Sequence, residues 1–163
     1  MNKNIQISVI SDISFEPYFV SIISKHFNLS LKPIIYPIPY GEQNDDDHRK
    51  QLENSDVVIV WLNIEMTFSN IWNTLHSQTA TEQQIIGKVV SSCNRLFVDL
   101  QAYKNAHVLW FLFEDYFIKL PNVTGHNYDA LVDKINIYLS DALKDNMFFI
   151  DLKRLIAEIG VAN

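Results

Sequence analysis

The chain has 163 residues and a mass of 18.9 kDa, with 48% hydrophobic and 20% charged residues, enough for one domain, read here as residues 1–163, with a continuous core and no disulfide staples. Its 13 Lys and Arg against 19 Asp and Glu give a formal net charge of −6, a surface that repels phosphate backbones and so argues against nucleic acid and against a polybasic membrane anchor. Cys93 is the only cysteine, which excludes an intramolecular disulfide framework and a cysteine-based zinc site.

In chain order, Ile5–Ile10 is β-branched and ends at the polar Ser11-Asp12, so it reads as a strand. A helix is predicted over Phe15–Phe27, with Phe19, Ile22, Ile23 and Phe27 at helical spacing, Ser14 as its N-cap and Pro17 in its first turn. Leu31–Ile38 reads as a second strand. Pro33, Pro37 and Pro39 remove ladder donors around it and place it near a sheet edge. A turn at Tyr40-Gly41-Glu42-Gln43 leads into a short polar helix or loop over Asn44–Asn54. Val57–Leu62 is continuously apolar, as a strand covered on both faces should be. A shorter helix and then a long one, starting near Thr79–Thr81, fill the span from Met66 to about Lys104. His107–Phe113 is a further apolar strand, Asn127–Leu143 an amphipathic helix, Met147–Ile150 a last strand and Leu152–Ile159 a last helix. The alternation predicts an α/β fold: a three-layer α/β/α sandwich around a mainly parallel, flavodoxin- or SGNH-like sheet of about five strands.

Such sheets bind ligands beyond the carboxyl ends of their strands. Candidate site residues are therefore Ser11, Asp12 and Ser14 after the first strand, Gly41 and Gln43 after the second, Asn63 and Glu65 after the third, Glu114 and Asp115 after the fourth, and Asp151 after the fifth. Four glycines are too few for a dinucleotide loop or a P-loop. Asn63 stands where a receiver domain would carry its acceptor aspartate. The five histidines are scattered without an i, i+4 pair, and the acidic run Asp45-Asp46-Asp47 reads as a solvated turn, so no metal site is expected. Serine hydrolysis is the serious enzymatic candidate, with Ser11 or Ser14 as nucleophile and Gly41 and Asn63 as oxyanion donors. The base is the difficulty: after Asp151 the chain reads Leu152-Lys153-Arg154 with no later histidine, and His126, ahead of the penultimate helix, is the only late one. The carboxylates Glu65, Glu114, Asp115 and Asp151 read equally as acid–base groups and as first-turn residues complementing helix dipoles.

Ile10-Ser11-Asp12-Ile13-Ser14-Phe15-Glu16-Pro17, Pro39-Tyr40-Gly41-Glu42-Gln43, Ser55-Asp56-Val57-Val58-Ile59-Val60-Trp61-Leu62 and Phe149-Ile150-Asp151-Leu152 resemble, in order and spacing, the N-terminal domain of FkbH-like proteins. That resemblance implies an SGNH-hydrolase-like module joined to a C-terminal haloacid-dehalogenase-type domain of subfamily IIIC. The second domain would pass a phosphorylated glyceryl unit to an acyl carrier protein in polyketide-type pathways, using magnesium held by its own Asp-x-Asp motif. It further implies that this module has no cofactor, because Asp45-Asp46-Asp47 does not follow a strand. The SGNH blocks depart from the catalytic pattern, with Ile13 at the nucleophile position, Glu65 at the oxyanion asparagine and no final Asp-x-x-His. A carboxylate at an oxyanion position opposes the developing charge. The leading expectation is a catalytically degenerate accessory module. The rivals are an active esterase or acyltransferase using Ser11 or Ser14, and a flavodoxin-like binder of a small ligand. Met1-Asn2-Lys3-Asn4 carries no apolar signal core, so a cytoplasmic location is expected.

Overall fold

The computed structural model describes residues 4–12, 32–68, 80–113, 128–142, 146–151, 154 and 157–158. Five strands form one sheet: β1 (Asn4–Ser11), β2 (Lys32–Pro39), β3 (Val57–Trp61), β4 (His107–Phe111) and β5 (Met147–Ile150). Their spatial order is β2-β1-β3-β4-β5 and every pair is parallel. The described helices are α1 (Asp46–Glu53), α2 (Ile64–Thr67), α3 (Glu82–Leu100) and α4 (Tyr128–Ser140). The predicted helix over Phe15–Phe27 lies outside the described residues. Of the predicted last helix, Arg154, Ala157 and Glu158 are described and helical.

Pleat and register decide which residues meet. Ile10 pairs with Ile38 and Val60, Val60 with Trp110, and Trp110 with Phe149, so these side chains line one face. Leu52 of α1, the buried stripe of α3 (Ile85, Val89, Cys93, Leu96, Leu100) and Leu131, Ile135 and Leu139 of α4 join them in one buried cluster. The three helices share that face because each crossover, β2 to β3 to β4 to β5, advances in the same direction across the sheet. Val9 and Ile7 are buried on the opposite face, where Trp61 stacks on Phe111 with ring centroids 5.1 Å apart.

β2 lies at an edge, as its prolines require. The long helix begins at Glu82, because Thr81 and Gln84 form a capping box that meets the first unpaired backbone groups. Below the core, Ser8 and Ser55 pair their buried hydroxyls at 2.7 Å. Ser55 donates its proton to the Gln51 carbonyl, so Ser8 is the donor within the pair. Asp56 brackets Gln6, its carboxylate accepting from the Gln6 N–H and its own N–H donating to the Gln6 carbonyl, each at 2.9 Å. This sets the register of β3 against β1.

Candidate functional site

The strands run in one direction, so all five exits open at one edge of the sheet. At the exit of β1 the backbone carbonyl of Ser11 accepts from the Tyr40 N–H at 2.7 Å, joining the first two exits. Ser11 is 5% exposed, on the pleat face of Ile7 and Val9. Asp12 falls on the other face and reaches the exit of β3. Its Oδ2 accepts from the Asn63 backbone N–H at 2.9 Å and from the Thr67 hydroxyl. Its Oδ1 is buried with no hydrogen-bond partner among the described residues. The fold thus brings Asp12 and Asn63 together across some fifty positions of sequence. Thr67, the third member of the group, went unrecognised in the sequence. Its signal was the spacing of four from Asn63, which puts both on one side of a helical turn.

The exit of β2 is a tight turn in which Gly41 has φ +100, the left-handed region that glycine enters without steric cost. The Gly41 N–H donates to the Gln43 side-chain oxygen at 2.8 Å, so the donor that an oxyanion would need is already engaged. Tyr40 turns back over the core. Burial raises its phenol pKa, Cys93 and Asp12 push it the same way, and Arg95 opposes them. Cys93 itself is pushed up to about 12 by burial on α3. The thiol stays protonated at neutral pH and is no nucleophile.

At the exit of β4, Asn136 of α4 clips the backbone of Phe113. Its Oδ1 accepts the Phe113 N–H at 3.0 Å and its amide donates to the Phe113 carbonyl at 2.9 Å. At the exit of β5, Asp151 is exposed and its Oδ1 accepts from the Arg154 N–H at 2.9 Å, the geometry of a helix cap. Ser14, Glu114 and Asp115 lie outside the described residues. Glu65 belongs to α2 by its backbone, and its side chain is not described.

Glu42, Asp45 and His48 place one ligand atom each within 4.8 Å of one another on the β2–α1 turn. The His48 Nδ1 already lies 2.8 Å from the Glu42 carbonyl. Asp45 is the residue before α1, and Asp46 and Asp47 are exposed in its first turn. A groove of about 640 Å³ lies between α3 and α4, over Ile86, Ile137 and Tyr138, and the Lys134–Glu82 ion pair borders it. It contains none of the strand-exit candidates. No described helix is long and apolar enough to cross a membrane.

No family model matches the chain, and no curated protein matches it. Two of the solved structures that share its fold illustrate it. One is a lipase from a goat rumen metagenome, with TM-score 0.60 and 14% identity over 90% of this chain and 80% of the lipase. The other is the N-terminal part of a Bacteroides fragilis protein containing a phosphatase domain, complexed with magnesium. Its TM-score is 0.62 and its identity 12%, over 97% of this chain and 43% of that one. At such identities the likeness establishes the fold alone, a five-stranded, all-parallel α/β sheet.

Proposed function

We propose that this chain is an accessory module of the FkbH-like type, which positions a haloacid-dehalogenase-type partner domain and does not itself cleave bonds. In this reading the partner transfers a phosphorylated three-carbon glyceryl unit to an acyl carrier protein and holds the magnesium that the reaction needs. One observation carries the reading. Two candidate oxyanion donors are already engaged within the chain, the Asn63 N–H by the Asp12 carboxylate and the Gly41 N–H by the Gln43 side-chain oxygen, whereas hydrolysis would need such donors turned to the developing charge. The Bacteroides fragilis structure supports the partner, because the part resembling this chain covers 43% of a chain that contains a phosphatase domain.

The test is to produce this module and the haloacid-dehalogenase-type domain of the same reading frame or operon separately, and to measure their association by calorimetry. Binding, with higher transfer activity in the mixture than in the partner domain alone, is the expected result. No binding, with full activity of the isolated partner, removes the proposal. The lipase-like fold keeps one rival in view, an esterase using Ser11 or Ser14. Turnover of a p-nitrophenyl ester above a boiled control, lost in Ser11→Ala or Ser14→Ala, would establish that rival instead.

A further inference from the structure

We infer that the groove between α3 and α4 is a binding site for a small zwitterion with a large apolar side chain, the chemistry of a free aromatic or branched α-amino acid. Its volume of about 640 Å³ lies inside the range of roughly 300–1,000 Å³ that takes small molecules. Two opposite charges on different helices border it, Glu82 in the first turn of α3 and Lys134 midway along α4, with Nζ against Oε1. An ammonium has three donors and a carboxylate about four acceptor sites, so that single contact saturates neither group. Both side chains also stay open to solvent, Lys134 at 52% and Glu82 at 36%. A zwitterion adds a second pair to each charge without breaking the first, its carboxylate on Lys134 and its ammonium on Glu82. A ligand of one charge meets one partner and one like charge. The rest of the argument is apolar. Ile86 of α3 is buried in the lining, and Ile137 and Tyr138 of α4 line the same groove while 62% and 52% exposed. The core stripe of α4 is Leu131, Val132, Ile135 and Leu139, so these two side chains are not used to pack the helix. Single exposed apolar residues are ordinary, but an adjacent pair beside an ion pair gives a ligand's side chain a surface to cover.

Saturation-transfer difference NMR on the full chain tests this with L-phenylalanine as the probe. Glycine keeps both charges without the side chain, N-acetyl-L-phenylalanine lacks the cation, and L-phenylalaninamide lacks the carboxylate. A dissociation constant of about 1 mM is expected for phenylalanine, a ligand of modest size in a groove open to solvent. Each of the other three should bind at least about tenfold more weakly. Lys134→Met, Glu82→Gln and Ile137→Ser should each weaken phenylalanine by about tenfold while keeping the wild-type far-UV spectrum, since all three positions are on the surface. The inference is overturned by silence from phenylalanine at about 10 mM, by glycine binding equally well, or by unchanged binding in all three variants. Should a variant lose the native spectrum, the ranking of the four ligands on wild type decides alone. A second copy seated in the groove would appear in light scattering as a dimer that Ile137→Ser dissociates, and that result without phenylalanine binding also overturns the inference. The groove shares no residue with the strand exits, so this test and the docking test can each fail without the other.

Discussion

Asn136 is a polar residue midway along α4, half-buried where its neighbours Ile135 and Leu139 are fully buried. It is there because β4 ends at Phe111 while the backbone of Phe113 still needs a donor and an acceptor, and one amide side chain supplies both. Asn136→Ala leaves two backbone groups unpaired and should cost about 1–3 kcal/mol in urea denaturation. Asn136→Asp, which keeps only the acceptor, should recover part of that loss. Cys93 gives a pH prediction. Its folded pKa is pushed up to about 12, above the value of 9.0 for a free thiol, so the folded state holds the proton more tightly. The stability this brings is fully present below pH 9 and is lost as pH rises from 9 towards 12. The phenols of Tyr40 and Tyr103, also raised, act in the same direction but only from about pH 10 upward. Melting temperature should therefore fall between pH 9 and 10 in wild type and fall less in Cys93→Ala.

At the scale of the element, α3 offers two changes of opposite sign. Thr81→Ala removes one half of the capping box and should destabilise by about 1 kcal/mol. Gly87 lies exposed in the helix interior, and a Cβ added there would meet nothing within 4 Å. Gly87→Ala should stabilise by about 0.5–1 kcal/mol, read as a shift in the urea midpoint. Much at this scale was legible in the residues. The apolar runs at Val57 and His107 specified inner strands, the three prolines an edge, and the spacing of Ile85, Val89, Cys93, Leu96 and Leu100 a buried helical stripe. The strand bounds moved by one or two positions because pairing, not apolarity, ends a strand: the apolar run continues to Phe113, but the ladder stops at Phe111. The candidate site was legible only as a set of exits. That Asp12 reaches Asn63 depends on β3 lying beside β1, and that Gln43 takes the Gly41 N–H depends on a left-handed glycine. No spacing rule encodes either contact.

On the scale of the whole molecule, the two borders of the sheet are unequal. β2 is guarded by Pro33, Pro37 and Pro39, whereas β5, Met147-Phe148-Phe149-Ile150, has neither proline nor charge, and Phe148 is 47% exposed. An apolar border of that kind can template further strands. Phe148→Lys should change stability by no more than about 1 kcal/mol while lowering the turbidity that develops at the thermal midpoint. Equal turbidity in the two proteins would place the aggregating segment elsewhere.

The all-parallel ladder also has a consequence for the order in which the molecule is made. Of the five strands the central β1 is synthesised before the other four, yet it has no hairpin partner, because Ile7 pairs with Ile35 on one side and Val57 on the other. Until those residues emerge, Ile-Gln-Ile-Ser-Val-Ile has no partner strand on the growing chain. A pause in translation before Val57 would prolong that interval, and shielding of the unpaired β1 by a chaperone would matter most then.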